Sequence, residues 1–259
     1  MATQITTELI KQLRDSTGIS VMQCKKALEE SMGDMEKAIL ILKKTSSDIA
    51  LKKGGRELKD GSVMIKSTDE KVVLVSLLCE TDFVSRNEDF MKVLGELSDK
   101  ALLVGIDKMK EEAKDLIDPL VQKTGENIQL GEMYEVSGDT VGAYLHNNKS
   151  GVIVSLTAGS NDLAKDIAMH ITAMKPEFMD ASEISDEVRN SMNELFEKEV
   201  ASIDKPEDIK KKMLEGKINT YFKERTLTEQ PFIKNGEETV GQLLEKSGAK
   251  IKEVKRYSI

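Results

Sequence analysis

An α+β fold is expected from three observations on the sequence. Helical stripes fill the amino end. A hairpin-then-helix pattern occurs twice in the middle. A highly charged stretch with narrow apolar seams interrupts the second copy. The 259 residues suffice for roughly two domains, each burying a core.

Residues 1 to about 45 read as three short helices. Leu9, Ile10 and Leu13 form the first stripe, and Gly18 stops it. Ser20 with Gln23 has capping-box spacing, ahead of a stripe of Val21, Cys24, Ala27 and Leu28. Gly33 ends this helix, and Asp34 caps a third that carries Met35, Ala38, Ile39 and Leu42. Such a three-helix bundle is similar to the small ubiquitin-associated (UBA-like) type. Lys52-Lys53-Gly54-Gly55-Arg56 reads as a flexible linker, so residues 1–54 are expected to be an amino-terminal domain with its linker.

Two core subdomains are expected next, at 55–139 and at 140–182 plus 226–259. Gly61-Ser62-Val63-Met64-Ile65 leads through a polar turn to Val73-Leu74-Val75-Ser76-Leu77. Gly142-Ala143-Tyr144-Leu145-His146 leads through Asn147-Asn148-Lys149-Ser150 to Val152-Ile153-Val154-Ser155-Leu156. The segments VLVSL and VIVSL differ at a single position, which points to a duplicated hairpin–helix unit. Within 226–259, Thr239 to Leu244 reads as a short helix and Ile251 to Tyr257 as a closing strand. Between the two pieces, 183–225 carries Ile184, Val188, Met192, Leu195 and Val200, then Ile209, Met213, Ile218 and Phe222, at helical spacing. Pro206 suits the first turn of the second helix. This segment is expected to be a projecting coiled-coil hairpin, of the kind through which copies of a chain dimerise.

The turn Glu80-Thr81-Asp82-Phe83-Val84 sits where the apolar run Val72 to Cys79 hands over to a helix. That helix is expected to start near Ser85, because Ser85 and Glu88 have capping-box spacing. Phe83 is one of six Phe in a chain without Trp. A ring in such a turn must either fold back onto its own core or be offered to another protein. Composition alone weighs the two evenly.

Several function classes find little support. Net charge is −8 and the pI is about 5.1, which disfavours direct nucleic-acid binding and anionic membranes. Met1 to Asp15 is polar and lacks the apolar core of a signal peptide, and no apolar run has membrane-spanning length. Cys24 and Cys79 stand alone and read as buried thiols of a cytoplasmic protein. There is no phosphate-cradling Gly-rich loop, no nucleophile elbow and no metal-ligand spacing around His146 or His170. No metal and no cofactor are therefore expected. By residue type alone, His146 on a strand and His170 on an apolar helix stripe read as structural. An enzyme using Asp82 and His146 on a small metabolite, and a scaffold that only dimerises through 183–225, are the rival readings. A pocket joining Asp82 and His146 would favour the first of these.

Several motifs, in this order, resemble the elongation factor Ts family. They are Leu13-Arg14 with Thr17-Gly18, Met22 with Cys24-Lys25-Lys26-Ala27-Leu28, Thr81-Asp82-Phe83-Val84, Gly125-Glu126-Asn127-Ile128, Ala168-Met169-His170, Lys175-Pro176-Glu177-Phe178 and Gln230-Pro231-Phe232. The resemblance covers essentially the whole chain. It implies a guanine-nucleotide exchange factor, without covalent chemistry, whose partner is GDP-bound elongation factor Tu. It further implies that Thr81, Asp82, Phe83 and Val84 dislodge the Mg²⁺ of that GTPase, with Phe83 as an aromatic wedge. His146 would disturb the phosphate-binding loop. Val21, Met22 and Lys25 would form a docking surface, with Thr124, Gly125 and Ile233 as further contacts. Thr124 stands where the family has Ile, and Ile233-Lys234 where an apolar pair is familiar. A homodimer or a 2:2 complex with the GTPase is compatible with the resemblance.

Overall fold

The computed structural model describes residues 5–259, so the first four residues of the polar amino-terminal stretch lie outside the described residues. The chain divides into two units. The first comprises residues 1–137, 145–151 and 255–259, and the second 138–144 and 152–254.

The first unit opens with α1 (Thr7–Thr17), α2 (Val21–Glu30) and α3 (Met35–Lys53). Each begins where a short polar side chain accepts a bond from an otherwise unpaired backbone N–H: Thr6 from Leu9, Ser20 from Gln23, Asp34 from Lys37. Gly18 ends α1 in the left-handed region (φ 66°), where a Cβ would be strained. Leu13, Ile19, Cys24, Ala27, Leu28, Ala38 and Leu42 form the shared core of these helices. The third helix runs past the expected limit near residue 45. No Gly or Pro interrupts it before Gly54, so Lys52 and Lys53 form its last turn, where cations oppose the helix dipole.

A three-stranded antiparallel sheet follows, in the order β1 (Asp60–Ser67), β2 (Lys71–Cys79), β3 (Gln129–Ser137). Between β2 and β3 lie the one-turn helix α4 (Asp82–Ser85) and the long helices α5 (Glu88–Val104) and α6 (Ile106–Thr124). The core joins Val73, Val75, Leu77 and Cys79 of β2 to Phe90, Leu94, Leu97 and Ala101 of α5 and to Met109, Ala113, Ile117, Leu120 and Val121 of α6. The expected capping box at Ser85 is not formed. Ser85 is buried inside α4, its hydroxyl donating to Asp82 O, and Asn87 caps α5 instead by accepting from Asp89 N–H.

Next come β4 (Thr140–His146) and β5 (Ser150–Leu156), a hairpin whose tip is counted with the first unit. The second unit continues with α7 (Asn161–Met174), a 3₁₀ turn at Ala181–Glu183, α8 (Asp186–Ala201) and α9 (Glu207–Arg225). Pro206 stands at the amino-terminal cap of α9, one place before the position expected for it. A second 3₁₀ turn, Leu227–Glu229, precedes the two-stranded β6 (Pro231–Phe232) and β7 (Asn235–Thr239), then α10 (Val240–Lys246) and β8 (Ile251–Ser258). Thr239 and Gln242 cap α10 reciprocally. The second sheet has the order β4-β5-β8, so its third strand arrives only after the α8–α9 insertion. Val152, Val154, Leu156, Ile167, Ile171, Leu227, Phe232, Val240 and Leu244 build the core of this unit. Gly142 lets α7 approach the sheet, since a Cβ there would lie 2.2 Å from Lys165 N. Mixed helices and small sheets thus make an α+β molecule, and among the described residues no helix is long and apolar enough to cross a membrane.

Candidate partner-binding site

Phe83 occupies the second position of α4 and is 84% exposed. The ring does not fold back onto the core. Its neighbour Val84 does so, packing against the cluster of β2, α5 and α6. One turn of helix therefore turns Val84 inward while Phe83 faces solvent. Asp82 pairs with Arg86 at 3.3 Å across the same turn.

Two carboxylates hold this turn in place. Glu126 Oε2 accepts from Glu80 N–H and Thr81 N–H, both at 3.0 Å, and its Oε1 accepts from the Thr81 hydroxyl at 2.6 Å. In return, Glu80 Oε1 accepts from Asn127 N–H at 2.6 Å and from Arg56 Nη1 at 3.3 Å. The Asn127 N–H bond, set against a smaller burial cost and aided by Arg56, holds the Glu80 carboxyl below its usual range. The Asn127 side chain donates to Arg56 O at 2.7 Å, closing the network. Beneath it, burial pushes the Cys79 thiol up to about 12, with the negative charges of Glu126 and Asp60 adding to the effect. The thiol therefore stays protonated and donates to Thr81 O at 3.2 Å. Cys24 and Cys79 are both free and buried.

Thr124 and Gly125 end α6 beside this clamp. Gly125 adopts φ 78° and closes the helix on Val121 O, a conformation that Gly takes without steric cost. The Thr124 hydroxyl donates to Leu120 O and accepts from Glu126 N–H. Gly125 O accepts in turn from Lys53 Nζ of α3. His146 stands exposed at the end of β4, with Asn147 Nδ2 3.3 Å from its Nε2. Val21, Met22 and Lys25 lie on the outer side of α2, with Val21 50% and Met22 82% exposed. Lys25 approaches Glu29 at 3.8 Å.

The fold thus brings Thr81 to Val84 together with Thr124 and Gly125 through Glu126, and places Val21, Met22 and Lys25 on a different element. Ile233 belongs to the second unit, in the turn between β6 and β7, and is 45% exposed. Its N–H donates to Nδ1 of the fully buried His170, whose Nε2 lies 2.9 Å from Gln230 Oε1. Since Nδ1 accepts, the proton sits on Nε2. Lys234 is engaged by Asp166 at 2.5 Å. Sequence reasoning missed Glu126 and Asn127 as turn-holding residues. Among the described residues, no group of three or more His, Cys, Asp or Glu is placed to hold a metal ion.

The braced turn leaves the Phe83 ring in solvent, and comparison with known proteins shows the family to which the chain belongs. The family described as "Elongation factor TS" matches residues 80–259. Elongation factor Ts of Hahella chejuensis is 40% identical over 266 residues, covering 98% of this chain and 92% of the relative. The proteins of that name from Pseudomonas aeruginosa (strain LESB58) and Azotobacter vinelandii are each 39% identical, covering 99% of this chain and 91% of their own length. The chain belongs to the elongation factor Ts family, a family of translation elongation factors.

Proposed function

We propose that this chain binds GDP-bound elongation factor Tu in the cytoplasm and speeds exchange of GDP for GTP, with no covalent step of its own. Family membership supports the partner, and the exposure of Phe83 on a turn fixed from both sides carries the mechanism. The GTPase holds its nucleotide through phosphate-binding backbone and Mg²⁺. Phe83 enters beside that Mg²⁺ site as a wedge and the ion is dislodged, leaving the phosphates less well neutralised. Asp82 engages the partner by hydrogen bonding or charge. Thr81 and Val84 shape the turn: Thr81 through Glu126, Val84 through the core. His146 disturbs the phosphate-binding loop. Val21, Met22 and Lys25 dock the amino-terminal helices, and Thr124, Gly125 and Ile233 add contacts. The α8–α9 hairpin is the segment we assign to contact with a second copy of the chain.

Fully covering an exposed Phe side chain gains about 1.5–3 kcal/mol, so Phe83 has a driving force to seat in a partner. Part of that gain is offset by the cost of association. Removing a buried aromatic anchor costs about 2 kcal/mol or more, equivalent to some thirtyfold in rate. Stopped-flow release of fluorescent GDP from elongation factor Tu is the test. Wild-type chain should accelerate release, and F83A should lose about thirtyfold with an unchanged unfolding midpoint. Equal acceleration by both would remove Phe83 from the mechanism.

A further inference from the structure

The tip of the β4–β5 hairpin is a type I′ turn. Asn147 and Asn148 have φ 50° and 55°, and Lys149 N–H closes the turn on His146 O at 3.0 Å. The placement of His146 therefore follows that of Lys149. The Lys149 ammonium has three donors. It meets three acceptors: Asp60 Oδ1 at 2.5 Å, Gly61 O at 2.5 Å and Ser85 Oγ at 3.3 Å. Ser85 closes α4, two residues after Phe83, and is itself pinned. Its hydroxyl donates to Asp82 O and its carbonyl accepts from Ser62 Oγ. Backbone bonds flank the junction, from Val63 N–H to Asn148 O at 2.7 Å and from Ile259 N–H to Lys149 O at 3.0 Å. The Lys149 and Asp60 side chains are 32% and 24% exposed, so the junction is partly shielded from solvent.

From Phe83 to His146 a connection thus runs through α4, Ser85, the Lys149 side chain and the turn hydrogen bond from Lys149 N–H to His146 O. We propose that Lys149 is a positioning residue that locks the His146 hairpin to the Phe83 turn, so that the partner GTPase meets both as one preset surface. The inference rests on the exchange reading and adds to it how the two contact points are kept in register. Neither Phe83 nor His146 needs Lys149 for its own chemistry. Lys149 spares the complex the cost of ordering two independent loops on binding.

Such a role acts on affinity, not on the events within the complex. The test measures GDP release from elongation factor Tu against factor concentration for wild type, Lys149→Met and Lys149→Arg. Amide hydrogen exchange of each free factor is followed alongside. K149M should raise the half-saturating concentration about tenfold and leave the plateau rate within about twofold, with K149R recovering most of the loss. Exchange in free K149M should quicken at both 82–87 and 145–149. An unchanged half-saturation, a fallen plateau, or faster exchange confined to 145–149 would each overturn the proposal. If wild type fails to release GDP, the exchange reading falls, while the hydrogen-exchange arm still decides whether Lys149 ties the loops. Should K149M not fold, Asp60→Asn removes the ion pair at constant size and is read in the same way.

Discussion

One carboxylate, that of Glu126, satisfies two backbone N–H groups and a hydroxyl in the turn that carries Phe83. Replacing it by Gln turns one acceptor oxygen into an NH₂ that faces donors. E126Q should therefore cost about 1–3 kcal/mol of stability, read by denaturant unfolding, and should speed amide exchange at Glu80 and Thr81. The sequence displays Phe83 openly, because an aromatic beside Asp at a strand end is conspicuous. It hides Glu126, which lies 45 positions from Thr81 and meets it only through the fold. His170 offers a second prediction at this scale. Burial lowers its pKa below the usual 6.5, outweighing the opposing hydrogen bond that its Nε2–H donates to Gln230 Oε1. The folded state thus favours neutral imidazole, while the unfolded chain takes up a proton near pH 6.5. The contribution of His170 is complete above that value and is lost as pH falls through the lower folded pKa. Unfolding midpoints measured from roughly pH 7.5 down to 5.5 should fall in wild type, and less steeply in H170Q. A flat wild-type profile would contradict the assignment.

At the scale of elements, the α8–α9 hairpin is held where it leaves and rejoins its unit. Glu177 and Phe178 N–H donate to Arg225 O, and Leu227 N–H donates to Phe178 O. The chain thus enters and exits side by side, and an insertion closed at its neck can be excised with little cost to the fold. Replacing residues 183–222 with a short Gly-Ser link should leave GDP release largely intact while abolishing any self-association seen by light scattering. Loss of exchange would instead place the hairpin in the mechanism. The duplicated hairpins and their helices were legible because β2 and β5 are near-continuous apolar runs. The strand β3 was not. A bulge sets two residues, Gly131 and Glu132, opposite Ser76. Leu130 and Met133 both reach the core, at a spacing of three that breaks the two-residue alternation of a strand. The Ser76 hydroxyl bonds Glu132 O at 2.8 Å and so satisfies the carbonyl freed there. The start of α5 was misplaced for a related reason: capping-box spacing at Ser85 is outcompeted by burial of that serine in α4, and Asn87 takes the cap.

For the whole molecule, the proposed exchange is a linkage between two ligands of one GTPase. If the factor weakens nucleotide binding by some factor, nucleotide weakens factor binding equally, so GTP entry expels the factor. In the proposed function the energy for this comes from surface offered to the partner, and the surface we assign to it is the exposed Phe83 ring on a turn braced by Glu126, Glu80 and Cys79. The central claim is that Phe83 works through the partner's Mg²⁺. The most direct test compares GDP release driven by wild type and by F83A, first with Mg²⁺ at millimolar level and then with excess EDTA. The wedge account predicts a gap of about thirtyfold with Mg²⁺ that closes to within about twofold once the ion is stripped. A gap of the same size in EDTA would show that Phe83 acts on the nucleotide site by another route, and would contradict the account.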